Sequence, residues 1–118
     1  MNPILIALAG LMGAFGVVLT AAGAHGKPGA GLDSAGYLLL IHAVAIIAVV
    51  AAAGLVQRPV ATVALAGFVL GAGLFAADVA ARAWLGTRLF PMAAPAGGVI
   101  MILSWLTLAV AALAAMRA

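Results

Sequence analysis

Apolar residues run along this chain in four long blocks, at roughly 3–24, 34–56, 59–83 and 95–116, separated by short stretches that hold most of the charged residues. Each block is long enough to cross the hydrocarbon core of a bilayer as a helix, which takes about 20 residues. The pattern predicts an all-α fold: an integral membrane four-helix bundle with antiparallel neighbours and both termini on one side, a single transmembrane domain over 1–118. Pro3 suits the first turn of a helix, where its missing N–H costs nothing. The connection 25–33 is rich in turn formers, and Asp33 or Ser34 is placed to cap the second helix. Gln57-Arg58-Pro59 is so short a turn that the second and third helices must be antiparallel neighbours. The third helix is expected to stop between Arg82 and Leu85. The connection 86–94 carries Leu89, Phe90 and Met92 and is expected to lie in the membrane interface. Pro95 begins the fourth helix and Arg117 ends it.

Composition agrees with the pattern. The chain is 69% hydrophobic and 6% charged, with a mean hydropathy of +1.40, whereas a soluble domain carries about 25% charged residues. A soluble fold of this length has too little interior to hide so much apolar surface, so lipid is the solvent. One bundle is expected, without a soluble domain or tail. The first block lacks a basic leader and is longer than a typical signal-peptide core, so it is expected to be a retained helix. There is no cysteine, which removes disulfides, thiolate metal sites, iron–sulfur clusters and cysteine nucleophiles. The net charge of +3 rests on five Lys and Arg at or near helix ends. They form no basic face for phosphates, so no nucleic-acid partner is expected. They are placed instead to set topology and to meet the lipid bilayer, with Lys27 and Arg88 as headgroup contacts. One side holds Arg58 and Arg117; the other holds Lys27, Arg82 and Arg88 and leans toward the cytoplasm.

Small residues have a use in such a bundle, because they let helix backbones approach closely in lipid. Gly67 and Gly71 make a GxxxG pair, and Gly10 with Ala14 and Ala9 with Gly13 are small-xxx-small pairs. They fit packing within the bundle or contacts between copies. Gly97, Met101, Ser104, Leu108 and Ala111 share a face of the fourth helix and read as a packing seam. Trp84, at a helix end, reads as an interfacial anchor, and Trp105 as a residue that packs in the bundle or against lipid.

Five side chains stand out in so lipid-like a sequence: His25, Tyr37, His42, Asp78 and Arg82. Ionisable groups within a span are costly and face the bundle interior. Asp78 and Arg82, four apart, share a helix face with Gly67, Gly71 and Phe75. Topology puts His25 and His42 in the same half of the bundle, so His25, His42, Asp78 and Arg82 are expected to converge. Two roles fit that cluster: a structural one that pins helix register, and the binding or transport of a proton, an ion or a lipid headgroup. Two histidines and a carboxylate can ligate zinc or iron, but their spacing matches no local metal motif and Asp78 has Arg82 for a partner, so neither a metal nor a cofactor is expected. No nucleophile elbow, phosphate loop or carboxylate pair is present to suggest catalysis. The expected function is non-enzymatic, as a homo-oligomer or an accessory subunit of a larger membrane complex. The alternative is a channel or transporter element, or a lipid-headgroup binder, built on the polar cluster.

A resemblance runs along nearly the whole chain. Gly13-Ala14-Phe15-Gly16, Gly23-Ala24-His25-Gly26, His42-Ala43, Leu74-Phe75-Ala76-Ala77-Asp78 and Pro95-Ala96-Gly97-Gly98, followed by Ser104-Trp105, occur in the order that resembles the YgdD family of small inner-membrane proteins. That family is a domain of unknown function with a mitochondrial transmembrane relative in animals. Two features differ from its usual pattern: the first loop is short and Gly-rich, and Leu38, Leu39 and Leu40 stand where a polar residue usually precedes the His-Ala pair. The resemblance implies four membrane helices and a bacterial inner-membrane location, and it supplies no catalytic residues.

Overall fold

The computed structural model describes residues 2–117. Its framework is four helices: α1 (Pro3–Ala21), α2 (Leu32–Ala51), α3 (Arg58–Leu85) and α4 (Ala93–Ala115). All four are long and apolar enough to cross a membrane, with mean hydropathies of 2.1 to 2.4 over their most apolar windows. The described residues contain no strand. The chain is an all-α integral membrane bundle.

Local chemistry sets the helix ends. The Asn2 side chain accepts a hydrogen bond from the Ile4 N–H at 3.0 Å, with Pro3 in the first position. The α-helical part of the first block stops at Ala21, and the next turn, Ala22–Gly26, widens to π geometry. Gly23 in that turn lies so close to α2 that a Cβ would meet the Asp33 nitrogen at 2.7 Å. Helix α2 starts at Leu32, earlier than its sequence suggests, with Gly31 as N-cap at φ +80°. Asp33 and Ser34 therefore fall inside the first turn rather than capping it, and Asp33 Oδ1 accepts the Ser34 N–H at 2.9 Å. Drawing Leu32 into the helix buries it completely. Helix α2 also stops short of Val56: a 3-10 turn at Ala53–Leu55 follows it. The Gln57 N–H then donates to the Ala111 carbonyl of α4 at 2.9 Å, tying this turn to the bundle. Gly86, at φ +74°, closes α3 in the left-handed conformation that only glycine adopts cheaply.

The bundle consists of two helical hairpins, α1 on α2 and α3 on α4, joined mainly where α2 packs on α3. Each hairpin crosses at a pair of glycines. A Cβ on Gly16 would sit 2.9 Å from the Gly36 carbonyl oxygen, and one on Gly36 would sit 2.6 Å from that of Gly16. In the other hairpin a Cβ on Gly71 would lie 2.8 Å from the Gly97 oxygen, and one on Gly97 2.7 Å from that of Gly71. Farther along, Gly67 faces the Ser104 side chain. The pairings 71 with 97 and 67 with 104 run in opposite directions, as antiparallel helices require. Lipid offers no hydrophobic drive between helices, so such close backbone approach, with its dispersion and Cα–H···O contacts, is what holds the hairpins. The fully buried Ile46 of α2 and Leu65 and Phe68 of α3 belong to one hydrophobic core.

Candidate functional site

Two polar centres are buried in this bundle, at different depths. The first is His42 on α2, only 3% exposed. Its Nδ1 lies 2.7 Å from the Leu38 carbonyl oxygen one turn earlier. Its Nε2 accepts the indole N–H of Trp105, on α4, at 3.0 Å. An indole N–H only donates and a carbonyl only accepts, so the ring carries its proton on Nδ1 and is uncharged in this arrangement. Phe68 of α3 completes an aromatic triad, with its centroid 5.3 Å from the His42 ring and 4.7 Å from Trp105. Three helices are thus joined through one imidazole.

The second centre is Asp78 on α3, 1% exposed. Its Oδ1 accepts the backbone N–H of Leu89 at 2.9 Å, fastening the α3–α4 connection. Its Oδ2 lies 3.5 Å from Nε of Arg82, whose side chain is 43% exposed. Helical spacing makes this pair, and Arg82, in the last turn of α3, is half-exposed while the carboxylate stays inside. A cleft of about 350 Å³ opens beside it, lined by Phe75, Asp78 and Arg82 of α3, Arg88 of the connection, and Ala94, Pro95 and Gly98 of α4.

The expected convergence of His25, His42, Asp78 and Arg82 is therefore corrected. Asp78 and Arg82 are together, but His42 rests on Phe68, ten residues or about 15 Å farther along α3. His42 needs no carboxylate because a tryptophan N–H and a carbonyl oxygen satisfy both of its nitrogens. His25 is exposed on the π turn after α1, and Lys27 follows it, partly buried. Tyr37 is 56% exposed on α2, and Trp84 is 49% exposed near the end of α3. Gly67 and Gly71 lie against α4.

Three features were missed in the sequence: the Trp105–His42 hydrogen bond, the Gly16–Gly36 crossing, and the Leu89 amide on Asp78. Only the first had a usable signal, since an indole N–H in mid-span needs an acceptor. Among the described residues no buried side-chain nitrogen or oxygen lacks a hydrogen-bond partner. Nor, among them, do three His, Asp or Glu side chains converge to hold a metal ion. A second cavity, about 300 Å³ and apolar, lies between α1 and α3 beside Met12, Phe15, Gly73 and Ala77.

Neither a curated protein nor a solved structure matches the chain. The model of the family described as "Protein of unknown function (DUF423)" matches residues 12–98, well over half the chain and all of both polar centres except Trp105, and the chain belongs to that family.

Proposed function

We propose that this protein is a non-enzymatic component of a bacterial inner membrane that works by associating with other membrane helices, as a small homo-oligomer or as an accessory subunit of a larger complex. The observation that carries this reading is the outer face of α1. Gly10 and Ala14, one turn apart, are both exposed there, and a Cβ on Gly10 would meet nothing within 4 Å. Gly16, Gly36, Gly71 and Gly97 earn their places through close contacts inside the bundle; Gly10 has no such contact. A glycine within a helix costs about 1 kcal/mol relative to alanine, and a second helix lying close against this face offsets that cost. The buried polar groups add support, because among the described residues each buried side-chain nitrogen and oxygen is matched within the bundle, as a structural role requires.

Crosslinking in native membranes, followed by blue-native electrophoresis, tests the reading. Wild-type protein is expected to migrate above the protomer mass. Gly10→Leu and Ala14→Leu should return it to the protomer, while Ala109→Leu, on an exposed position of α4, should not. A wild-type protein that runs as a lone protomer with no crosslinked neighbour refutes it.

A further inference from the structure

We propose that the cleft between the end of α3 and the start of α4 is a binding site for a phosphate-bearing anion, held between Arg82 and Arg88. The inference is independent of the association surface on α1 and rests first on charge. The sequence has two acidic residues, Asp33 and Asp78. Asp33 lies in the first turn of α2 with Oδ1 on the Ser34 amide. Asp78 gives one oxygen to the Leu89 N–H and turns the other toward Arg82. Two guanidinium groups and one carboxylate thus line the cleft, which is left with net positive charge. Among the described residues Arg88 makes no ion pair. The start of α4, where Ala94 and Pro95 line the cleft, adds the positive end of a helix dipole. At a membrane interface, away from bulk water, such an excess attracts an anion more strongly than on a soluble surface.

Among the anions that arginine forks bind, the lipid setting favours a phosphate. Asp78 approaches Arg82 at Nε, so that guanidinium's terminal amino groups remain as donors for a ligand. Planar forks of this kind match phosphate oxygens in pairs. Asp78 is a positioning residue for both arginines: it meets Arg82 directly, and it holds the amide of Leu89, the neighbour of Arg88. The rest of the lining is apolar, with Phe75 and Gly98 deeper along their helices than the arginines. A Cβ on Gly98 would meet nothing within 4 Å, so that end is open. A charged mouth over an apolar floor fits a phospholipid phosphate with its glycerol beneath; free phosphate would use the same arginines and leave the floor empty.

Protein in nanodiscs of phosphatidylglycerol and phosphatidylcholine in equal parts, released for native mass spectrometry, reads the site. One retained phosphatidylglycerol is expected, with Arg88→Gln lowering retention about tenfold. Because Arg88 is exposed, this variant should melt as wild type does, which separates loss of binding from loss of fold. Gly98→Leu, filling the floor, should expel the lipid. A tryptophan-fluorescence titration of detergent-solubilised protein with inorganic phosphate distinguishes the sources: saturation that Arg88→Gln abolishes assigns the site to free phosphate, and lipid retention without saturation assigns it to the headgroup. Equal phosphatidylglycerol retention by wild type and Arg88→Gln, with no saturable phosphate response, overturns the proposal.

Discussion

The Asp78–Arg82 pair predicts an asymmetry, because its two partners sit in different surroundings. Asp78 is 1% exposed and Arg82 43%. Removing the carboxylate leaves a guanidinium that is already half-exposed, whereas removing the guanidinium strands a carboxylate inside the bundle. Asp78→Asn keeps an oxygen for the Leu89 N–H and loses only an ion pair with one exposed partner, a contribution of about 0–1 kcal/mol. Arg82→Leu leaves a buried charge with one hydrogen bond. Breaking a fully buried pair costs about 3–5 kcal/mol, and the 3.5 Å separation and half-exposed arginine reduce this to about 2–3 kcal/mol. The double variant Asp78→Asn with Arg82→Leu has no stranded charge and should recover most of the loss. The assay is reversible unfolding in mixed micelles of dodecylmaltoside and SDS, followed by circular dichroism, as a double-mutant cycle. Hydrogen exchange at the Leu89 amide should rise in Arg82→Leu and change little in Asp78→Asn. Equal costs for the two single variants, or a double variant less stable than either, would refute the reasoning.

Two further outcomes follow from the packing. Gly36→Ala places a Cβ 2.6 Å from the Gly16 oxygen and should cost about 1–3 kcal/mol by separating α1 from α2, whereas Gly73→Ala, with nothing within 4 Å, should be neutral or stabilising by up to about 1 kcal/mol; micelle unfolding compares them. Trp105→Phe leaves the buried Nε2 of His42 without its donor and should cost about 1–2 kcal/mol, and adding His42→Leu should recover part of that loss, so a double variant no better than Trp105→Phe alone would show that the hydrogen bond is not the cause.

The number of spans and their apolar character were legible in the residues alone, because a bilayer imposes one polarity on everything that crosses it. The Asp78–Arg82 pair was equally legible, since four residues along a helix return to the same face. The small-residue face of Gly67 and Gly71 and the seam of α4 could be drawn from the same periodicity. What each face would meet could not. Starting α2 at Leu32 rather than 34 moves its end by about 3 Å, and depth estimates for His42 depend on such offsets. The partner of His42 is Trp105, 63 residues away, and the partner of Asp78 is a backbone amide, which every residue but proline carries and no sequence marks. The tertiary structure decided these matters because helix contacts in lipid depend on rotation and register. Both vary continuously until glycine pairs such as Gly16–Gly36 and Gly71–Gly97 lock two backbones together. That locking separated the two polar centres and left Arg82 and Arg88 lining one cleft beside Asp78.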